Sequence, residues 1–186
     1  MIPREATMTE SEIPSGKNTR MSQADGAAPT ASTATAKEPE PGQIFYAAAN
    51  WKGDGAGAGV IRLPAAGLTI PIAGSRKPDE PAASANPEEL LLAAVAACFV
   101  NTWAIFLKKL QVAYPEPAIR LDGSLGKDPA GGYRMTGAVI HALVPASLLE
   151  KDRARVEKTL QLSEKYCIIT KVARAAMPVR VEIEAV

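Results

Sequence analysis

The sequence predicts an α+β fold, with helices packed on antiparallel sheet, and three observations carry that prediction. A long apolar helix signal occupies residues 86–109, NPEELLLAAVAACFVNTWAIFLKK. Stretches in which apolar and polar residues alternate, the period of a half-buried strand, flank it on both sides. A second, amphipathic helix and one more alternating stretch close the chain. Strands, apolar helix, strands, amphipathic helix and strand make the pattern of helices laid on a sheet.

The long helix announces its own start. Asn86 offers a side-chain oxygen to the free N–H groups of a first turn, and Pro87 follows where its missing N–H costs nothing. Glu89 completes a capping box. From Leu90 to Leu107 there is no formal charge, and large apolar side chains occupy every side of the wheel. Such a helix is expected in a core or across a membrane. The uncharged run reaches the lower limit for a span, about 18 residues. Asn101 and Thr102 near its centre, acids at its start and lysines at its end favour a central core helix, the ends matching the helix dipole.

Composition narrows the classes. At 186 residues the chain suits one domain and a tail. A net charge of +1 and 5% aromatics give no basic stripe with stacking platforms, so nucleic-acid binding is not expected. Two cysteines are too few for a secreted disulfide scaffold and are not in zinc spacing, and the single histidine excludes a multi-histidine metal site within one chain. No early segment joins a positive start to an apolar run, so no signal peptide is expected. The expected compartment is the cytoplasm, where an isolated cysteine pair is more often redox-active than structural.

Residues 1–41 are rich in Ala, Thr, Ser, Pro and Glu and read as a disordered tail, leaving 42–186 as the folded domain. IFYAAANW reads as a first strand, GDGAGAG as a loose turn without the Lys and Ser/Thr of a phosphate loop, and VIRL and LTIPI as further strands. A polar loop, AGSRKPDEPAASA, leads into the long helix and carries Arg76 and Lys77. Residues 118–126 and 133–145 alternate around the turn signal KDPAGG. Ser147 is a candidate cap for a helix over residues 148–166, whose stripe of Leu149, Val156, Leu160 and Ser163 continues to Cys167. A short helical piece follows to Ala176, Pro178 stops it, and VRVEIEAV is a last strand.

Cys98 sits in the middle of the long helix, and free cysteine there can be a small core hydrophobe. Two features favour chemistry. The second cysteine ends the other substantial helix, and basic residues stand in the loop before the first. His141, in an alternating strand, reads as structural. Glu164 and Lys165 read as the solvated side of a helix end. Trp103 and Phe106 read as core or as the wall of a substrate pocket rather than as a cofactor platform.

NPEELLLAAVAACF resembles the signature of the OsmC/Ohr family of thiol peroxidases. LSEKYC with its following helix and strand, and the opening FYAAANWKGDG, are similar to the family's second cysteine segment and first strand and turn. The resemblance covers residues 43–186. It implies an OsmC-like fold: an intertwined homodimer in which antiparallel sheets surround long central helices and two active sites lie at the interface. It implies Cys98 as the peroxidatic nucleophile, Cys167 as the resolving thiol, and Glu88 as the acid that holds a thiolate-stabilising arginine. In the Ohr branch that arginine stands in the first turn, where GDGAGAG has none. In the OsmC branch it stands in the loop before the helix, where Arg76 lies, which places the chain nearer OsmC. A solvated Arg76 would leave Lys77 or Arg62 to substitute.

The implied chemistry is the reduction of organic hydroperoxides, and more weakly of hydrogen peroxide, to alcohols. It passes through a Cys98 sulfenic acid and a Cys98–Cys167 disulfide reopened by an external dithiol such as a lipoyl group. No metal, haem or other cofactor is required. The alternative is a dimeric OsmC-fold stress or binding protein whose thiols are inert. Helix geometry adds one constraint: ten residues of α-helix separate Glu88 and Cys98 by roughly 15 Å and nearly 80° of rotation. If both serve one site, they come from different subunits.

Overall fold

The computed structural model describes Gly42, residues 44–74 and residues 83–186. Apart from Gly42 these belong to one compact unit, Ile44–Val186. The expected tail at residues 1–41 lies outside the described residues, as do Arg76 and Lys77.

Among the described residues, six strands and three α-helices follow one another as β1 (Ala48–Lys52), β2 (Ala58–Leu63), β3 (Leu68–Ala73), α1 (Pro87–Lys109), β4 (Ala118–Lys127), β5 (Tyr133–Val144), α2 (Ala146–Tyr166), α3 (Ile168–Ala176) and β6 (Val179–Ala185). They form two three-stranded sheets, β1-β2-β3 and β4-β5-β6. The first is an antiparallel meander. Its β1–β2 turn needs the glycines of GDGAGAG: Gly53 has φ +100°, and a Cβ on Gly57 would stand 2.2 Å from the Lys52 carbonyl oxygen.

The second sheet corrects the antiparallel expectation. β4 and β5 form the predicted hairpin, but β6 runs parallel to β5, with Ala138 opposite Val179 and Ala142 opposite Ile183. Antiparallel strands can be joined by a short turn, whereas parallel ones need a long crossover. Here α2 and α3 are that crossover.

The core lies between this sheet and the helices. Val95, Phe99, Trp103 and Leu107 of α1, at helical spacing, meet Ala138, Ile140, Ala142 and Val144 of β5 and Leu149, Val156 and Leu160 of α2. Trp103 Nε1 donates to Thr159 Oγ1 at 2.9 Å, so the one polar atom of the largest buried side chain is satisfied across the α1–α2 contact. The predicted α2 stripe is buried throughout, Cys167 included.

Two helix expectations change. Ser147 lies inside α2, not at its cap, because Pro145 starts the helix with no side-chain capping bond. Asp152, at φ −153°, kinks the helix, and its carboxylate pairs with Arg155 at 2.6 Å. The capping box on α1 is present as read, with Glu89 N donating to Asn86 Oδ1 at 2.7 Å and Asn86 N donating to Glu89 Oε2 at 3.0 Å.

The burial of α1 also differs from the expected all-round core helix. Within one chain only the Val95–Leu107 stripe is covered; Leu91 is 40% and Ile105 46% exposed, with Ala94, Ala97 and Asn101 between them exposed as well. Among the described residues α1 is the one helix long and apolar enough to cross a membrane by length and composition.

Candidate functional site

The two cysteines, 69 positions apart, meet. Cys98 lies one turn before Thr102 on α1, and Thr102 Oγ1 is tied to the Cys98 carbonyl at 2.8 Å. Cys167 is the hinge between α2 and α3: its N–H donates to Ser163 O at 2.8 Å, closing α2, and its Sγ caps α3. The packing of α3 on α1 brings the two Sγ atoms to 3.0 Å. A disulfide bond is about 2.05 Å long, so closing it needs an approach of roughly 1 Å. Both sulfurs are free thiols here, Cys98 half-buried and Cys167 fully buried.

Their surroundings differ in kind. Burial pushes the Cys98 thiol above its ordinary range, and the adjoining Cys167 sulfur adds to that push against the opposing backbone amides of Ile169 and Ile168. Burial acts on Cys167 in the same sense. There it is outweighed by the Thr170 hydroxyl, the Cys98 thiol and the amides of Thr170 and Ile169, so the Cys167 thiol lies below the ordinary range. Thr170 Oγ1 is 3.1 Å and Thr170 N 3.5 Å from Cys167 Sγ. The two directions differ in sign, so Cys167 is the sulfur of the pair whose surroundings favour the anion.

Glu88, at the N-terminal end of α1, has one carboxylate oxygen, Oε2, buried with no hydrogen-bond partner among the described residues. Since α1 is continuous from Pro87 to Lys109, Glu88 and Cys98 lie about 15 Å apart along its axis. Arg76 lies outside the described residues. Arg62, the substitute on β2, is hydrogen-bonded to Asn50 of β1.

Sequence reasoning missed two residues that shape the cysteine hinge. One is Thr170, whose signal was a hydroxyl three positions after a helix-capping cysteine. The other is Arg174, which donates to Val179 O at 3.1 and 3.3 Å and forms an ion pair with Glu164. It ties the end of α2 to α3 and to the start of β6, so Glu164 is a clamp and not the solvated residue expected. Phe106 packs against Tyr166, ring centroids 5.5 Å apart, as an apolar wall beside the hinge, while Trp103 is core. His141 is on the outer face of β4-β5-β6, with Nε2 2.9 Å from Asp122 and Nδ1 3.7 Å from Glu184, in keeping with a structural role.

Comparison with known proteins agrees with this fold. The family model for OsmC-like proteins matches residues 79–182. The chain is 33% identical over 101 residues to organic hydroperoxide resistance protein-like 1 of Staphylococcus epidermidis, an alignment covering 54% of this chain and 70% of that protein. Among solved structures it is similar to an OsmC-like protein of Mycoplasma pneumoniae, with TM-score 0.63 and 14% identity over 77% of this chain and 98% of that one. It is also similar to the organic hydroperoxide resistance protein OhrB of Bacillus subtilis, with TM-score 0.55 and 25% identity over 75% of this chain and 98% of that one. With a matching family model, the shared fold and the paired cysteines in view, this chain belongs to the OsmC/Ohr family of OsmC-like proteins.

Proposed function

We propose that this protein is a cysteine-based peroxidase that reduces organic hydroperoxides to alcohols in defence against oxidative stress. The observation that carries the reading is the 3.0 Å approach of Cys98 Sγ to Cys167 Sγ. Names of relatives that speak of organic hydroperoxide resistance support it.

Cys98 is the half-buried sulfur of the pair and the one a peroxide can reach. Starting from the singly ionised pair, the proton passes from the Cys98 thiol to the Cys167 thiolate, leaving Cys98 as the attacking thiolate. It attacks the outer peroxide oxygen, the O–O bond breaks, and the departing alkoxide takes a proton to become the alcohol. Cys98 is then a sulfenic acid. Cys167 attacks that sulfur, the S–S bond forms, and hydroxide leaves as water. An external dithiol, such as a lipoyl group, returns both cysteines to thiols. The Phe106–Tyr166 wall favours organic hydroperoxides over hydrogen peroxide.

The first step needs a cation to favour charge on Cys98, and Arg76 is the proposed source, held by Glu88. The buried Glu88 oxygen, without a hydrogen-bond partner among the described residues, supports a cationic partner for this carboxylate. Because Glu88 and Cys98 of one chain are too far apart, the working unit is a homodimer in which each site takes Glu88 from one subunit and the cysteines from the other. The exposed apolar side of α1 and the apolar face of β1-β2-β3 are the surfaces a second copy would cover. The proposed compartment is the cytoplasm.

A second reading has one observation in its favour. The Cys98 thiol is pushed up, which suits an OsmC-fold binding protein with inert thiols. Thiol titration before and after one equivalent of cumene hydroperoxide decides between them. A peroxidase loses both thiols to an intramolecular disulfide and releases one equivalent of alcohol. Two thiols left free refute the peroxidase reading.

A further inference from the structure

The cycle above leaves open which sulfur of the disulfide an incoming thiol attacks. The two sulfurs are unlike in access and in what surrounds them. Cys98 is half-buried, whereas Cys167 is fully buried, under Thr170, itself fully buried. The Thr170 hydroxyl, 3.1 Å away, and its N–H, 3.5 Å away, are both directed at Cys167 Sγ. They sit at the N-terminal end of α3, Ile168–Ala176, whose first-turn N–H groups have no carbonyl partners of their own within the helix.

Resting on the peroxidase reading, we infer that Thr170 is a positioning residue that makes Cys167 the leaving group of the disulfide, so that the external dithiol forms its mixed disulfide on Cys98. The step balances. A reductant thiolate attacks Cys98 Sγ, a new S–S bond joins reductant and Cys98, and the Cys98–Cys167 bond breaks. Its electron pair leaves on Cys167 Sγ, where the Thr170 hydroxyl and N–H receive the charge. The second thiol of the reductant then attacks the reductant's own sulfur in the mixed disulfide. Cys98 departs as a thiolate and takes up a proton, and the reductant leaves oxidised.

Thiol–disulfide exchange is faster the better the leaving thiolate is stabilised, so this polarity gives reduction a fixed direction. The lowered Cys167 thiol agrees with it. Thr170 thereby serves the second half of the cycle, while the Glu88–arginine pair serves the first.

The test separates this inference from the peroxidase reading by forming the disulfide with diamide, without peroxide. Oxidised wild-type protein is treated with limiting N-acetylcysteine, quenched in acid, alkylated and mapped by mass spectrometry. The expected adduct is on Cys98 with Cys167 alkylated; an adduct on Cys167 overturns the inference. Reopening of the oxidised protein by dihydrolipoamide should slow roughly tenfold in Thr170→Val and return to within about twofold of wild type in Thr170→Ser, the loss expected for a hydrogen bond to a developing charge. In the reduced protein, Thr170→Val placed on Cys98→Ser should shift the thiolate absorbance at 240 nm to higher pH. Unchanged reopening and an unchanged titration would refute the role. Should Thr170→Val fail to fold, the wild-type adduct decides alone. A protein that shows this polarity after diamide yet consumes no peroxide refutes the peroxidase reading and leaves the polarity standing.

Discussion

The chain builds two three-stranded sheets from similar alternating sequence, and they end in different states. In β4-β5-β6 one face is closed: Ala138, Ile140, Ala142, Val144 and Val179 are buried against α1 and α2. In β1-β2-β3 the register puts Ala49, Trp51, Ile61, Leu63, Leu68, Ile70 and Ile72 on one face. Of these only Ile72 is buried, while Leu68 is 55% and Trp51 44% exposed. Alternation specifies that a face wants cover. It does not specify whether the cover comes from the same chain.

The sharpest way to probe this contrast is to cut into the closed side. Phe99→Ala removes a fully buried ring from the stripe facing β5 and should cost about 3–5 kcal/mol in urea or thermal unfolding. A loss under 1 kcal/mol would mean that the core is not where the fold places it. On the open side, Ile61→Arg should leave single-chain stability nearly unchanged and weaken self-association at least about tenfold, roughly 1.4 kcal/mol, in sedimentation equilibrium. Undiminished association would remove β1-β2-β3 from the proposed dimer interface.

The cysteines belong to the closed side, Cys167 within its core and Cys98 packed against it. In Cys98→Ser, the Cys167 thiolate should persist below the ordinary thiol range, because its hydrogen bonds favour the anion over burial. A group with a depressed folded-state pKa contributes stability above its unfolded value, near about 8.5, and loses it as pH falls through the lower folded value. Reduced Cys98→Ser should therefore lose a little stability on acidification over that window, and Cys98→Ser with Cys167→Ser should lose none of it. The smallest effect is expected on the outer face of the closed sheet. His141→Gln breaks contacts to Asp122 and Glu184, both about half exposed, and should cost under about 1 kcal/mol.

What the sequence disclosed was what short-range physics controls. Asn86, Pro87 and Glu89 announce the start of α1 because a cap is decided within one turn. The α2 stripe ran to Cys167 because 3.6-residue periodicity continues to the helix end. The parallel placement of β6 was not legible, since VRVEIEAV alternates equally well beside a neighbour of either direction. The kink at Asp152, and Pro145 in place of Ser147 at the start of α2, come from tertiary fit that overrides local preference. Thr170 and the Arg174–Glu164 clamp escaped because their meaning depends on where the α2–α3 corner falls. Of the four site residues read from the sequence, the two sulfurs are brought together, Glu88 stands apart with an oxygen that has no partner among the described residues, and Arg76 lies outside the described residues.

The direction of β6 has a mechanical corollary. The segment bearing Cys167 is a bridge with two abutments: the Pro145 end of β5 on one side, and on the other β6, gripped by Arg174 through the carbonyl of Val179. Had the last strand been a simple hairpin return, shortening the chain at its end would only fray an edge. Here it would knock out an abutment, letting the sulfur drift from its mate while the long helix and the β4–β5 hairpin stay in place.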